Sequence, residues 1–599
     1  MRSVSTPGVV RLRVATGLAA LTLTALVAFA VDLGRPALWD PGEGRYAQTV
    51  REMLTHGSWL APTLNLAPYY DKPPGYYWLL AGSFRAFGFT EWAARLPSAL
   101  PALLTIALTV GFAWRRMGPI PALGAGLILA TTTQFVALGR SVRMDMLLTC
   151  LVSATLFRAY ALWQDDGAAP GRARPPRTWP IYVLPAIGLL VKGPVAALLP
   201  AMVLGTMTVL TGERRRLARL RPGPGLLVAL AIAATWYVGA AVYAPAYLVT
   251  FLWDQNVGRF LDAATGHPEP FWYFLWMLPV TFLPWTLFLP GALHRAARRA
   301  RRWHDLDLFL LAWIGLTVLF FSVSSAKLAT YVLPTFPPLA LLVARYLAAV
   351  ARARAATQRR ALLAPGVLWT AVLAAIAVAT PVVVGVRFRA SPTLAAWSLL
   401  LLPFAAYGAW AARRARWGRV PALVMLSTLV IHALFYRVGA PVVDEFVSLR
   451  GAAEAARDLP ARTAMYAYKT RGHSFAFYDG RVVTRLRSPA AAAAVLAGPE
   501  PSALLTKERH LDAIRAHLPE PVCVWWESAS ARVLVTNLPP LLADGGRLLA
   551  PGAATGAAPR SCRTLVGGGS GEADSATARA RDPRARRRHR TAAGRPRHR

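Results

Sequence analysis

The chain has 599 residues, of which 55% are hydrophobic and only 16% charged, with a mean hydropathy of +0.39. A soluble chain carries closer to a quarter charged residues. Apolar runs of about 20 residues recur here between short charged breaks, which excludes a soluble enzyme and implies a polytopic helical membrane protein. The formal net charge of +38 would suit a nucleic-acid partner, but the arginines sit in the breaks between oily runs and in the basic tail, where they set topology instead.

The first apolar run, 11–32, lacks an A-x-A cleavage site and reads as a retained span. A long segment, 33–92, follows. It is rich in Pro, Gly and aromatic residues and partly amphipathic, so it should lie along the interface. It opens on "LWDPGEGRYAQTVREM", which packs Asp40, Glu43 and Arg45 together at a membrane boundary. Six basic breaks then give the register: Arg115–Arg116, Arg172 to Arg177, Glu213–Arg221, His294–His304, Ala351–Arg360 and Arg413–Arg419. With all six in the cytoplasm, two apolar runs separate each consecutive pair, as out-and-back hairpins require. The predicted spans are 11–32, 93–113, 119–138, 146–163, 179–191, 194–211, 225–244, 273–292, 307–323, 329–349, 362–386, 394–412 and 420–437. That is about thirteen, with the N-terminus inside and the C-terminus outside; 179–191 is the shortest.

Segment 245–272 is a second outer loop. From residue 440 the composition changes, and "TAMYAY", "VCVWW" and "RVLVTN" read as strands among amphipathic helices. The expected organisation is a transmembrane domain over 1–439, a small outer α/β domain over 440–540, and a disordered basic tail over 541–599. Three cysteines, Cys150, Cys523 and Cys562, imply neither a disulfide framework nor a metal-ligand spacing. His267 alone makes no metal site.

If the polar residues beside the spans were only topology anchors they would fall mostly inside. Instead the outer segments carry Asp40, Glu43, Arg45, Tyr46, Tyr69, Asp71, Lys72, Arg140, Arg143, Asp145, Lys192, Arg259, His267, Lys327 and Tyr331, acids interleaved with bases. The chain has only five lysines, and the three in the membrane region, Lys72, Lys192 and Lys327, all fall at outer span ends. An ammonium is a compact point charge suited to phosphate oxygens, and several cations facing one pocket suit a phosphate lipid head. Any single Lys or Arg at a span end is ordinarily a snorkelling anchor, the Tyr and Trp of "YYDKPPGYYW" an interfacial belt, and Asp145 a helix-start partner. Their joint recurrence across five loops is what points to a site.

The order of these elements is itself distinctive. "DPGEGRYAQTVREML", "SWLAPTLN", "YYDKPPGYYW" and "ARLPSAL" come first, then "RMDM" (143–146), "VKGPVA" (191–196), "QNVGRF" (255–260), "HPEPFWYF" (267–274) and "SSAKLATYVLPTFPPLA" (324–340). The series resembles the polyprenyl-phosphate-sugar glycosyltransferases, which include the aminoarabinose transferases of lipid A and, more distantly, the protein mannosyltransferases. The resemblance covers residues 10–440 and implies a multi-span GT-C fold, thirteen spans in the aminoarabinose transferases. It implies a plasma-membrane enzyme that moves a sugar from a polyprenyl phosphate to an extracytoplasmic hydroxyl on a glycan, glycolipid or protein. Carried over by motif, Arg45, Tyr46, Tyr69, Asp71, Lys72, Lys192, Arg259, Lys327 and Tyr331 would line the lipid-phosphate and sugar pocket. A carboxylate of the first outer loop would act as base. The family reads Asp-Glu-x-Arg-Tyr there; this chain reads Gly42-Glu43-Gly44-Arg45-Tyr46, so the usual base is missing. Glu43 is the first candidate to replace it, Asp40 the second, Asp145 the third. No metal is implied by a ligand cluster. A transporter for a polyprenyl-linked substrate would require inverted repeats and mid-span charges, which are not apparent; a non-catalytic envelope scaffold stays open because of Gly42.

Overall fold

The computed structural model describes residues 7–164, 177–261, 268–300, 305–387, 392–519, 522–528 and 530–538, with short strands at 541–543, 547–549 and 563–565. His267 and most of the expected tail lie outside the described residues.

Each of the thirteen predicted runs is helical over most of its length. Among the described residues seven helices are long and apolar enough to cross a membrane, or up to nine if each of two bent pairs is one span. The shortfall from thirteen has a local cause: breaks shorten helices that hydropathy reads as continuous. Pro119–Thr131 and Thr133–Gly139 meet at 67°, because Thr132 between them is extended. Tyr273–Thr281 and Trp285–Ala300 meet at 111° with Pro284 at the corner, where a missing N–H cannot continue the ladder. The run 179–191 is one of three shorter apolar helices.

Three helices carry the first half of the site. Helix α1 is Pro7–Phe29, α2 is Gly42–His56 and α3 is Gly75–Phe87. Segment 33–92 is thus a folded unit. The buried Glu52 carboxylate ties it together, accepting from the Thr63 hydroxyl at 2.7 Å and from the Asn65 and Leu66 N–H groups at 2.7 and 3.0 Å. These bonds hold a two-residue hairpin, β1 (Thr63–Leu64) against β2 (Ala67–Pro68), under α2. Helix α4 (Glu91–Met117) begins with Thr90 accepting from the Ala93 N–H, a side-chain cap that satisfies one orphan donor.

The outer domain is a six-stranded sheet of order β10-β6-β7-β5-β3-β4, with β3 Ala464–Tyr468, β4 Val483–Leu486, β5 Ser502–Lys507, β6 Val522–Glu527, β7 Arg532–Thr536 and β10 Arg563–Leu565. Strands β3, β4 and β5 are parallel and the rest antiparallel. Two findings correct the sequence reading. Arg563–Leu565 pairs with Val522–Val524, so the ordered domain extends past residue 540; the open edge of β6 is a template that a low-complexity segment can satisfy with backbone bonds alone. Cys523 is disulfide-bonded, against the reading that the cysteines serve no disulfide, while Cys150 is free and buried.

The transmembrane helices share one large apolar core. A second core joins Tyr46, Val50, Tyr76, Tyr77 and Phe84 of segment 33–92 to Phe477 of the outer domain. The two domains are therefore packed together.

Candidate functional site

Helix α2 presents two chemistries on two sides. Glu43 is 5% exposed and forms a bidentate pair with Arg95 of α4, with Nε and Nη2 donating at 2.9 and 2.8 Å. Its oxygens also accept from the Val142 and Trp39 N–H groups at 3.0 and 3.1 Å. Arg95 spends its remaining donors on the carbonyls of Leu33, Pro36 and Ala37. This saturated pair stitches the end of α1 to α2 and α4, leaving Glu43 no free lone pair aimed at a reactant. Both residues line an apolar cavity of about 780 Å³ with Trp39, Arg140, His432 and Tyr436; none of the predicted phosphate-site residues lines it.

The other side of α2 carries Arg45 and Tyr46. Arg45 lies over the rings of Tyr46 and Tyr69, 5.3 and 5.7 Å from their centroids, within the range of cation–π attraction. Tyr69 donates to Asp71 Oδ2 at 2.9 Å, and Asp71 Oδ1 stands 3.5 Å from both Lys72 Nζ and Arg259 Nη2. Arg259 arrives from the second outer loop, just after a π-helical stretch, Thr250–Gly258. Tyr247 donates to the Lys72 carbonyl and fixes the loop that carries it. Lys192 closes the far side, ending the helix Pro180–Lys192, where Gly193 with φ +89° turns the chain back. Its ammonium donates to Asp145 Oδ1 at 2.7 Å and lies 5.2 Å from the Tyr331 ring centroid.

The segments thus converge. Four cations (Arg45, Lys72, Lys192 and Arg259) surround two carboxylates (Asp71 and Asp145), so two positive charges stay uncompensated. The fields are mutual. Burial first, then the positive charges of Arg259 and Lys192, push the Lys72 ammonium down to about 8 against the pull of Asp71. Burial tends to raise the Asp71 carboxyl, but Lys72, Arg259 and Arg45 outweigh it and hold it below the usual carboxylate range. Buried polar atoms around the cluster lack hydrogen-bond partners among the described residues: Arg45 Nε, Asp71 Oδ1 and Tyr77 Oη. Two excess charges with unmet donors are what a phosphate group would satisfy.

Lys327 is not brought into this cluster. Its ammonium is committed to the carbonyls of Glu269 and Ser324 at 2.8 and 2.6 Å, where it locks the second outer loop against the start of the next helix. Asp40 accepts from the Ser474 N–H at 3.0 Å and from its hydroxyl at 2.5 Å. Burial pushes its carboxyl up to about 6 although both bonds pull it down. Sequence reasoning missed two participants, Arg95 and Ser474, and named Arg143 only among the polar residues of the outer segments. Arg95 lies within the quoted "ARLPSAL" and Arg143 within "RMDM", yet nothing local marks one as structural and the other as facing the site. A side chain built on Gly42 would start 2.9 Å from Arg143 Nη2, so the departure from the family pattern removes a carboxylate from beside a cation. Ser474 is 434 residues from Asp40 and carried no signal. Among the described residues no three His, Cys, Asp or Glu side chains converge to hold a metal ion.

Comparison with known proteins points one way. The sequence profile of the dolichyl-phosphate-mannose-protein mannosyltransferase family matches residues 71–238. An undecaprenyl phosphate-alpha-4-amino-4-deoxy-L-arabinose arabinosyl transferase of Aeromonas salmonicida is 35% identical over 54% of this chain and 59% of its own. That of Edwardsiella ictaluri is 32% identical over 53% of this chain and 57% of its own. The chain therefore spans about three fifths of the length of the curated relatives it matches. Among solved structures, ArnT from Cupriavidus metallidurans bound to undecaprenyl phosphate is 25% identical, with a TM-score of 0.73, covering 87% of this chain and 98% of that one. Its apo state gives the same score. The likeness to polyprenyl-phosphate-sugar glycosyltransferases read from the motif series is borne out, as is the GT-C membrane fold.

Proposed function

We propose that this multi-pass membrane protein, built on the fold of the lipid-linked-sugar glycosyltransferases, moves a sugar from a polyprenyl-phosphate donor to an acceptor outside the cytoplasm. The observation that carries this reading is the convergence of Arg45, Lys72, Lys192 and Arg259 on Asp71 and Asp145. Two uncompensated charges at the headgroup end of the spans suit a phosphate diester in the ground state. They suit still better the phosphate monoester that leaves, whose second charge develops in the transition state. Burial of the cluster strengthens each interaction relative to water. Tyr46, Tyr69 and Tyr331 frame the cations and give flat faces for a sugar.

The acceptor hydroxyl needs a positioned carboxylate. Glu43, the first candidate by sequence, is saturated by four donors and acts as a brace. Asp145 stands against Lys192 in the cation cluster and is the carboxylate we assign as base; Asp40, under Ser474, becomes a positioning residue. In this reading the basic breaks face the cytoplasm and the α/β domain faces outward, an orientation that cysteine labelling from either side of sealed vesicles tests. Bilayer and donor are the partners implied, and no nucleic acid.

The deciding experiment is sugar release or transfer from a panel of polyprenyl-phosphate sugars in proteoliposomes, with acceptor extract present. Asp145→Asn should lose about 10²–10⁴-fold in turnover while polyprenyl-phosphate binding persists, and Asp40→Asn should lose far less. Turnover that survives Asp145→Asn sinks the assignment of the base. Failure of wild type to use any donor sinks the transferase reading.

A further inference from the structure

The outer domain carries a row of like charges that its fold does not explain. Strands β3 and β4 pair Tyr468 with Leu486, so the next residues, Lys469 and Arg487, end adjacent strands side by side. Strands β3 and β5 pair Ala467 with Leu505, which brings Lys507 level with Lys469. Lys507 then faces Arg532 across the β5–β7 ladder. Four cations from four neighbouring strands thus stand in one row, at about 4.8 Å per strand. Like charges directly opposite one another destabilise a sheet. Arg532 has Asp40 as a nearby acid, but Lys469, Arg487 and Lys507 form no ion pair with a described carboxylate. A rule broken without local compensation is expected where function demands it. Lysine is scarce in this chain, yet two of its five lysines are in this row.

The position is also telling. This is the carboxyl end of the parallel strands, and the order β5-β3-β4 puts the topological switch between β3 and β5, where open α/β sheets take their ligands. The loop after β3 is bent for it: Lys469 and Gly472 both have positive φ, 54° and 68°. The opposite end of the same strands differs, because there Arg481 is clasped by Asp479 at 2.6 Å. At the carboxyl end no described carboxylate forms an ion pair with Lys469, Arg485, Arg487 or Lys507. His473 stands between this rim and the membrane site. It is 5% exposed, and its Nδ1 has no hydrogen-bond partner. Burial first and then Arg45, Arg471 and Arg485 push the imidazole down to about 4, so it stays neutral between the two cation groups. Arg532, the inner end of the row, donates to the Ser448 carbonyl at 3.2 Å, beside the seam where Asp40 meets Ser474.

We propose that this rim binds the acceptor, and that the acceptor is an anionic glycan or polymer bearing phosphate or carboxylate groups, led along the row toward the seam above the donor site. Its role as acceptor rests on the transferase reading; the binding itself does not. The test uses the full chain in phosphatidylcholine nanodiscs, with labelled oligo(glycerol phosphate), oligogalacturonate and neutral dextran followed by fluorescence anisotropy. Wild type should bind one or both polyanions and not dextran, and the preferred polyanion names the acid group. The double variant K469E/R487E, altered only at exposed side chains of the row, should bind about tenfold or more weakly, whereas K469R/R487K should bind as wild type. Both variants should keep wild-type affinity for polyprenyl phosphate. Equal polyanion binding by the charge-reversed protein, or equal binding of dextran, overturns the proposal. So does parallel loss of polyprenyl-phosphate affinity, because the two sites would then not be separate. Loss of wild-type polyanion binding when the discs contain phosphatidylglycerol would mark the rim as a headgroup clamp and overturn it as well.

Discussion

Glu43 and Lys72 are both charged residues of the first outer segment, and their surroundings send them to different work. Glu43 takes four donors from three chain segments, so its removal acts on the fold. Glu43→Gln leaves Arg95 buried without its counter-charge, a loss of about 3–5 kcal/mol, and a thermal melt in nanodiscs should show it before any change in chemistry at a permissive temperature. Lys72 instead has a surplus of positive neighbours and a single carboxylate. Lys72→Ala should weaken polyprenyl-phosphate binding by about 10²-fold, the worth of a charge-assisted bond of 1.5–3 kcal/mol, with little change in melting. Because its ammonium is held near 8, donor affinity should be full below that pH. It should fall by up to about tenfold per pH unit above it, as a titration of binding would show. Asp40 is shifted the other way, upward, yet its contribution also fades as pH rises. Its carboxyl is raised from 3.8 to about 6, so the stability conferred by its neutral form is complete below 3.8 and lost as pH rises through 6. Wild type should therefore melt higher as pH falls across that window, and Asp40→Asn should lose this dependence.

At the scale of elements, the decisive contact is α2 against the outer-domain helix His473–Asp479. A side chain built on Gly44 would start 2.6 Å from the Ser474 backbone nitrogen and 2.7 Å from Asp40 Oδ1, so only glycine lets the two helices close. The same seam is reinforced by Leu38 donating to Tyr478 Oη at 2.7 Å and Trp39 Nε1 to Asp444 at 2.6 Å. Gly44→Ala should part this seam. The expected outcome is earlier proteolysis of the outer domain and a rise in donor Kd, because Arg45 is the next residue on α2. An unchanged cleavage pattern would show that α2 yields instead. Cys523 is disulfide-bonded: reduction should destabilise the domain that carries it by about 2–4 kcal/mol while leaving the transmembrane core intact, visible as a separate transition in a reducing scan.

Across the whole molecule, the sequence by itself determined the membrane class and the register of helical runs. These follow from hydropathy and charge, which act locally and leave a mark in every window of about 20 residues. It also carried the motif series behind the likeness to the lipid-linked-sugar glycosyltransferases. The two breaks that separate seven long spans from nine among the described residues were not legible, since one extended threonine or one proline bends a helix without changing its hydropathy. The strand at Arg563–Leu565 was missed for a related reason: it joins segments about 40 residues apart in the chain. The same limit governed the site. Arg45, Lys72, Lys192 and Arg259 could be named one by one, but whether a carboxylate braces the fold or faces the reactant depends on which distant donors reach it. Arg95 reached Glu43, Lys192 reached Asp145 and Ser474 reached Asp40. Only the tertiary structure decided those pairings, because a buried charge takes the nearest partner in space, and nothing in the spacing of residues along the chain encodes that distance.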